Sequence, residues 1–231
     1  LALLKLPATL GWQPDVLHVH DWHTAAAVYA LMLRRHDDLA LRAMRSVLTV
    51  HNLPYLGHGA GGVLEAFGLP PADQSDLPDW AKQLPLPVGL WAADAITTVS
   101  PGYAQEMQTE AFGAGLEGFL KAKAGQLTGI LNGIDEHAWN PAADPALPLN
   151  YDHTTLGRRE ENKRHLRTAL SLAQGDDRPL LAIISRMDHQ KGIDIALEAL
   201  ASLDAGGWQA VILGTGTQLV EDQARALAHQ L

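Results

Sequence analysis

The sequence predicts an α/β protein in which short parallel strands alternate with helices, arranged as two doubly wound halves. Three observations carry that reading. Short apolar runs, several of them β-branched, recur at Val16–His20, Ser46–Val50, Ala95–Val99 and Leu180–Ile184, with helix-sized segments between them. An amphipathic pattern follows the last of these: Ile193, Ala196, Leu197 and Leu200 share one helical face, whereas Asp194 and Glu198 fall elsewhere. Polar residues gather just after the strands, the edge of an open parallel sheet at which ligands bind.

Bulk properties narrow the function. A 231-residue chain that is 47% hydrophobic can bury a large core. With 17 Lys and Arg against 26 Asp and Glu, its net charge of −9 argues against a nucleic-acid partner. Any cation that matters must therefore act locally. The chain has no cysteine, which excludes a disulfide framework, a thiolate metal site and a cysteine nucleophile, and fits a reducing cytoplasm. No apolar run reaches the length of a membrane span, and Leu1–Leu10 is too short and too weakly charged for a signal peptide. The chain opens on an uncapped apolar segment at Leu1. It stops at Leu231 inside a helical pattern (Val220, Ala224, Leu227, Leu231) with no capping glycine, so a piece of a longer protein is expected.

In chain order, the Gln13-Pro14-Asp15 turn leads into a strand at 16–20, and an alanine-rich helix follows over 25–34. The second strand, 46–50, ends at His51-Asn52. The third, 95–99, runs into Ser100-Pro101, a helix start with proline in the first turn. A short fourth strand is expected at 129–131, before Asn132-Gly133. Residues 57–90, rich in glycine and proline, read as a long, partly irregular excursion above the sheet. Residues 132–150, with Pro141, Pro145 and Pro148, read as a linker between a first domain (1–131) and a second (151–231). In the second domain a helix is expected over 158–170, a buried strand at 180–184, a helix over 193–203, a strand at 210–213, a Gly214-Thr215-Gly216 turn and a final helix.

Five constellations invite chemistry. The loop after 180–184 carries Arg186, His189 and Lys191 ahead of Gly192 and a helix N-terminus, which suits a phosphate or diphosphate. A solvated loop with two surface cations is the alternative. His18, His20, Asp21 and His23 suggest a metal site, because strand spacing puts the first two imidazoles on one face. No later strand end supplies the remaining ligands of a metal-dependent amidohydrolase, so histidines hydrogen-bonded in place are the better reading. Asp21 at a strand end suits a sugar hydroxyl or a cationic transition state. His51 can be a structural loop histidine or a catalytic one. Asn132-Gly133 can be a plain turn, and Gly214-Thr215-Gly216 can admit a nucleotide close to the backbone. The P-loop and the G-x-S-x-G elbow are both absent from the sequence, which excludes a P-loop kinase and argues against an α/β-hydrolase.

Taken together, HVHDWH (18–23), TVHNLPYLG (49–57), ADAITTVSPGYAQEM (93–107), GILNGIDEHAWNP (129–141), SRMDHQKGID (185–194) and LGTG (213–216) resemble bacterial glycogen synthases and starch synthases in order and spacing. The resemblance implies a GT-B fold of two Rossmann-like domains facing a cleft, the second incomplete in this chain. It implies transfer of glucose, with retention and without a metal or cofactor, from ADP-glucose or UDP-glucose to the non-reducing 4-hydroxyl of an α-1,4-glucan. On that resemblance Arg186 and Lys191 meet the diphosphate and His51 sits by the transferred glucose. Asp21 orients donor or acceptor sugar, Asn132 lies near the same glucose, and Ser185, Gly214 and Gly216 touch the nucleotide. The family's lysine–glycine–glycine loop would lie before Leu1, and its glutamate-containing segment beyond Leu231. Leu56 stands where the family usually has glutamine, and 57–90 departs from its usual segment. A non-catalytic module that binds nucleotide sugar or glucan is the rival reading, and a metal-dependent hydrolase a further one.

Overall fold

A computed structural model describes residues 2–60, 62–174, 177–204 and 206–230. Leu1 and Leu231, the ends of the apolar patterns noted above, lie outside them. The chain divides into two compact units, Leu1–Gly133 and Ile134–Leu231.

The first unit opens with helix α1 (Ala2–Leu10), followed by strand β1 (Val16–His20) and helix α2 (Asp21–Arg34). Strand β2 (Arg45–Val50) comes next, then a long segment containing the short helix α3 (Val63–Ala66) and helix α4 (Pro85–Ala92). Strand β3 (Ala95–Thr98), helices α5 (Pro101–Glu106) and α6 (Glu117–Ala122) and strand β4 (Leu127–Gly129) complete it. The four strands pair in parallel in the order β1-β2-β3-β4. One face of the sheet enters the core through Leu17, Val19, Leu48, Val50 and Ile96. The other carries His18, His20, Thr49 and Thr97, in keeping with the two-residue period of a strand. At the opposite edge Asp94 ties the strand starts together. Its carboxylate accepts from Ser46 N at 2.8 Å and from Arg35 Nη1 at 3.0 Å.

Three expectations need correction. Residues 57–84 are partly irregular, as expected, but 57–90 packs into the core rather than standing above the sheet. Leu64, Leu69, Ala72, Leu77 and Ala81 join the main core, and α4 is buried along nearly its whole length. The prolines misled because Pro85 and Pro87 occupy the first helical turn, where no intrahelical donor is needed. Leu86 N donates outside the helix, to Leu56 O at 3.3 Å, and the first donor within the turn is Val88 N, 3.2 Å from Leu84 O. A helix that is apolar all round also leaves no periodicity to read. The second correction concerns β4, which spans 127–129 rather than 129–131. Ile130 N still donates to Thr98 O at 2.8 Å, but Ile130 and Leu131 then leave the sheet and are exposed.

The second unit holds helix α7 (Arg159–Ala169), strand β5 (Leu180–Ile184), helix α8 (Ile193–Ser202), strand β6 (Gln209–Leu213) and helix α9 (Gln218–Gln230). Residues 141–150 are tied to α7, because Asn162 accepts from Leu149 N at 3.0 Å and donates to Leu149 O at 2.8 Å. Strands β5 and β6 pair in parallel from Leu180↔Gln209 to Ile184↔Leu213. Their core consists of Met187, Ile193, Leu197 and Val220, with Ile183, Ile212, Ala224 and Leu227 packed against it. Only that face of the sheet is covered among the described residues. This is the third correction: β5 is not a buried strand, and Ile184 is 77% exposed. Other element ends differ from expectation by a residue or so, apart from α2, which begins at Asp21 rather than Ala25.

Gly89 shows how tightly α2 and α4 meet. A Cβ there would stand 2.6 Å from Ala25 Cβ and 3.0 Å from Ala25 O. Gly89→Ala should therefore destabilise the unit by about 1–2 kcal/mol, overpacking outweighing the better helix propensity of alanine. Gly118 in α6 has nothing within 4 Å of its Cβ position, so Gly118→Ala should be neutral or stabilising. Urea unfolding midpoints of the two variants test the contrast.

Candidate active site

Parallel pairing delivers every strand's carboxyl end to one edge of its sheet. In the first unit His20 and Asp21 stand there after β1, His51 after β2, Ser100 after β3 and Asn132 three residues beyond β4. The turn from β1 into α2 is abrupt. Asp21 takes φ +51°, a left-handed conformation that aspartate tolerates better than most residues. Thr24 closes the turn from the helix side, its hydroxyl accepting from His20 N at 2.8 Å and donating to His20 O at 2.7 Å. Turned this way, the Asp21 carboxylate accepts His51 N at 2.8 Å. Two of the sequence-selected residues, Asp21 and His51, are thus joined directly.

The histidines form a row. His18 and His20 rings lie 4.5 Å apart, and His20 and His51 rings 5.3 Å apart. His20 Nδ1 shares a hydrogen bond with His51 Nε2 at 3.0 Å. His18 Nε2 shares one with Thr49 Oγ1 at 2.7 Å, and Thr49 Oγ1 one with Thr97 Oγ1 at 2.6 Å. Burial first, and then the neighbouring His20 and His51 imidazoles, push His18 below the ordinary histidine value. His23 is turned onto the Trp22 ring, 4.0 Å between centroids. Among the described residues no group of three or more histidines and carboxylates is placed to hold a metal ion. His18, His20 and His51 are hydrogen-bonded in place, and His23 is held by its ring contact. Sequence reasoning missed His20 as a partner of His51. Parallel register could have found it, because His20 pairs with Thr49, two residues before His51. Asn132 is exposed, two strands away from β2 in the sheet order.

In the second unit the loops after β5 and β6 are laced to each other. Ser185 N donates to Leu213 O at 3.1 Å, Met187 N to Thr215 O at 2.9 Å, and Thr217 N to Met187 O at 2.9 Å. This lacing accounts for both glycines. A Cβ on Gly214 would stand 1.8 Å from Ser185 O, and one on Gly216 2.1 Å from Met187 O. The Gly216 N–H is also engaged, donating to Glu221 Oε1 at 2.9 Å. That bond, followed by Arg225, holds Glu221 below the usual carboxylate range.

Arg186 and Lys191 flank a short turn built by Asp188, whose Oδ1 accepts Gln190 N at 2.9 Å. Gly192, at φ +65°, then turns the chain into α8. Both cations are exposed, and neither makes an ion pair among the described residues. Arg186 Nη2 reaches only Gln190 Oε1, at 3.4 Å. The start of α8 already holds an anion: Asp194 Oδ2 lies 2.8 Å from His189 Nδ1. That contact raises the His189 pKa and lowers that of Asp194. The helix terminus is therefore a less open anion seat than the sequence suggests. A concavity of about 610 Å³ opens on the helix-covered face of this sheet, lined by Met187, Leu197, Trp208, Ile212 and Arg225 but by neither Arg186 nor Lys191.

Parallel α/β units with polar loops at the strand ends define a Rossmann-like architecture, and comparison with known proteins specifies the GT-B fold and the family. Residues 1–122 match the family described as the starch synthase catalytic domain. The chain belongs to that family. It is 45% identical over 213 residues to a glycogen synthase of Pectobacterium atrosepticum, covering 89% of this chain and 42% of that protein. A glycogen synthase of Yersinia pestis is 42% identical over 221 residues, covering 94% of this chain and 45% of its own length. Among solved structures, the catalytic domain of starch synthase IV from Arabidopsis thaliana bound to ADP and acarbose superposes with a TM-score of 0.81 at 32% identity. That match covers 100% of this chain and 48% of the other. The chain thus spans somewhat under half the length of these relatives. No helix among the described residues is long and apolar enough to cross a membrane.

Two outcomes follow from the geometry. Asp21→Ala removes the acceptor of His51 N and forces alanine into a left-handed conformation, so a loss of about 1–2 kcal/mol is expected. Asp21→Asn keeps both an acceptor and left-handed tolerance and should lose less than half of that, as urea titration would show. His189 should titrate above 6.5, and Asp194→Asn should bring it back down. The pair's contribution is therefore present between the lowered Asp194 pKa and the raised His189 pKa, lost as pH rises through the second or falls through the first. Histidine NMR signals followed against pH read this directly.

Proposed function

We propose that the protein carrying this chain transfers glucose from ADP-glucose to the non-reducing 4-hydroxyl of an α-1,4-glucan, with retention at the anomeric carbon. The observation that carries the proposal is the pair of exposed cations, Arg186 and Lys191, in the loop after β5, without carboxylate partners among the described residues. A diphosphate leaving group carries its greatest unbalanced charge as the bond to glucose breaks. Fixed cations favour that state over the bound substrate, which is how electrostatic catalysis lowers a barrier. Family membership, and the ADP and acarbose held by the Arabidopsis neighbour, support the nucleotide-sugar and glucan ends of the reaction.

In this reading Arg186 and Lys191 are catalytic residues toward the diphosphate. His51 lies beside the transferred glucose, and Asp21 orients a sugar while favouring positive charge at the anomeric carbon. Asn132 meets the same glucose. Ser185, Gly214 and Gly216 line the nucleotide, the two glycines doing so in addition to lacing the loops. Residues 1–131 form the acceptor-side domain, 132–150 the linker and 151–231 the nucleotide-sugar side. The absence of cysteine supports a cytoplasmic setting.

Glucosyl transfer to glycogen, measured with ADP-glucose and with UDP-glucose, tests the reading. Lys191→Ala should lower kcat about 10²–10³-fold and leave KM within a few-fold. Lys191→Arg should restore little, because a planar fork does not replace a compact ammonium. Near-normal kcat in the alanine variant would remove Lys191 from the reaction. Absence of transfer from either nucleotide sugar by the unchanged protein would overturn the activity itself.

A further inference from the structure

His51 is gripped at two points by consecutive residues of β1 and the turn after it. Its backbone N–H donates to Asp21 Oδ1, and its ring Nε2 shares a hydrogen bond with His20 Nδ1 at 3.0 Å. The His20 ring is held in turn from behind. Its backbone is clasped by Thr24 on both N and O, and the His18 ring stands 4.5 Å away. His18 is itself anchored through Thr49 to Thr97 in the middle of the sheet. His51 is exposed, and its Nδ1 has no hydrogen-bond partner among the described residues.

An imidazole whose Nε2 is engaged has one nitrogen left for a ligand, and the partner decides which one. We propose that His20 is a positioning residue for His51, fixing its ring so that Nδ1 alone faces a sugar hydroxyl. The inference rests on the glucosyltransferase reading only for what that hydroxyl belongs to. The His20–His51 bond itself belongs to this chain. One hydrogen bridges the pair. If His20 Nδ1 carries it, His51 Nδ1–H donates to the sugar oxygen; if His51 Nε2 carries it, Nδ1 accepts the hydroxyl proton. Either way the bond holds the ring so that Nδ1 is the nitrogen offered outward, whereas a free loop histidine would present either one. Sequence alone hides this, because His20 reads as half of a metal-binding pair with His18.

The test compares His20→Phe, which keeps a ring but no hydrogen bond, with His20→Asn, whose amide can occupy the place of Nδ1. Nitrogen-15 spectra of the histidine rings report the hydrogen bond at His51 Nε2 whether or not the protein is active. A hydrogen-bonded His51 Nε2 is expected in the unchanged protein and in His20→Asn, and one open to water in His20→Phe. In the transfer assay His20→Phe should lower kcat about 10–100-fold, the range seen when an orienting partner is lost, with KM within about twofold. His20→Asn should recover most of that rate. An unaltered His51 Nε2 signal in His20→Phe would overturn the proposal, as would equal loss of rate in the two variants. An unchanged protein that transfers no glucose would instead overturn the glucosyltransferase reading, and the spectra would still decide the His20–His51 bond.

Discussion

Parallel pairing is the constraint on which the rest depends. A parallel sheet cannot turn back through hairpins, so each strand must be left at the same edge and re-entered from the other. In this chain the edge where strands are left is crowded, and glycine sets how close neighbouring loops come. Gly129 lets β4 lie against the Ser100 backbone, where a Cβ would stand 2.1 Å from the Ser100 carbonyl oxygen. Gly214 and Gly216 do the same for the two loops of the second unit. Side chains on these loops are placed by backbone contact between loops. That is why Asp21 and His51, thirty residues apart, meet at hydrogen-bond distance.

The charged residues divide their labour along the same lines. Carboxylates in and beside these loops are used to build them. Asp21 holds the His51 backbone, Asp94 fastens the strand starts, Asp188 shapes its turn, Asp194 takes His189, and Glu221 takes the Gly216 N–H. Each such bond offsets part of the cost of ordering a loop, modestly where the donor is exposed and more at Ser46, which is buried. The cations of the second unit's loop follow the opposite rule. Arg186 and Lys191 are left to solvent, although the chain as a whole is strongly acidic. An acidic protein that leaves two cations unpaired at a strand edge has kept a local positive site in a repelling surround, which suits an anionic ligand held at close range.

The row of imidazoles on the first sheet follows from strand geometry in the same way. Residues two apart on β1 share a face, and the register of β1 against β2 sets Thr49 beside them. The face that does not enter the core is therefore free to carry polar groups. A ladder of hydroxyls and imidazoles fills it and satisfies its own hydrogen bonds. Burial of part of that ladder, and then the neighbouring His20 and His51 imidazoles, weaken protonation of His18.

Much of this was legible in the sequence, for definite reasons. Apolar runs bounded by turns located the strands because a parallel strand needs both features. The Ser100-Pro101 start announced α5, and the Ser100 side chain does accept Tyr103 N at 2.9 Å. Ser185, Arg186 and Lys191 were legible as loop residues for the same local reason. What local pattern could not show was anything decided by a second segment. Helix α4 looked irregular because its prolines and its uniform apolarity carry no period, and only packing against Ala25 explains its glycine. Strand β4 was misplaced by two residues because Ile130 and Leu131 are apolar yet unpaired with a core. The glycines at 214 and 216 read as room for a nucleotide, and the tertiary structure adds a second demand on them, close approach to the loop after β5. The amino-acid sequence by itself determined which segments become strands and helices and which polar residues stand at their ends. The tertiary structure decided which of those residues touch, because parallel register and loop-to-loop distance are set by contacts between segments far apart in the chain.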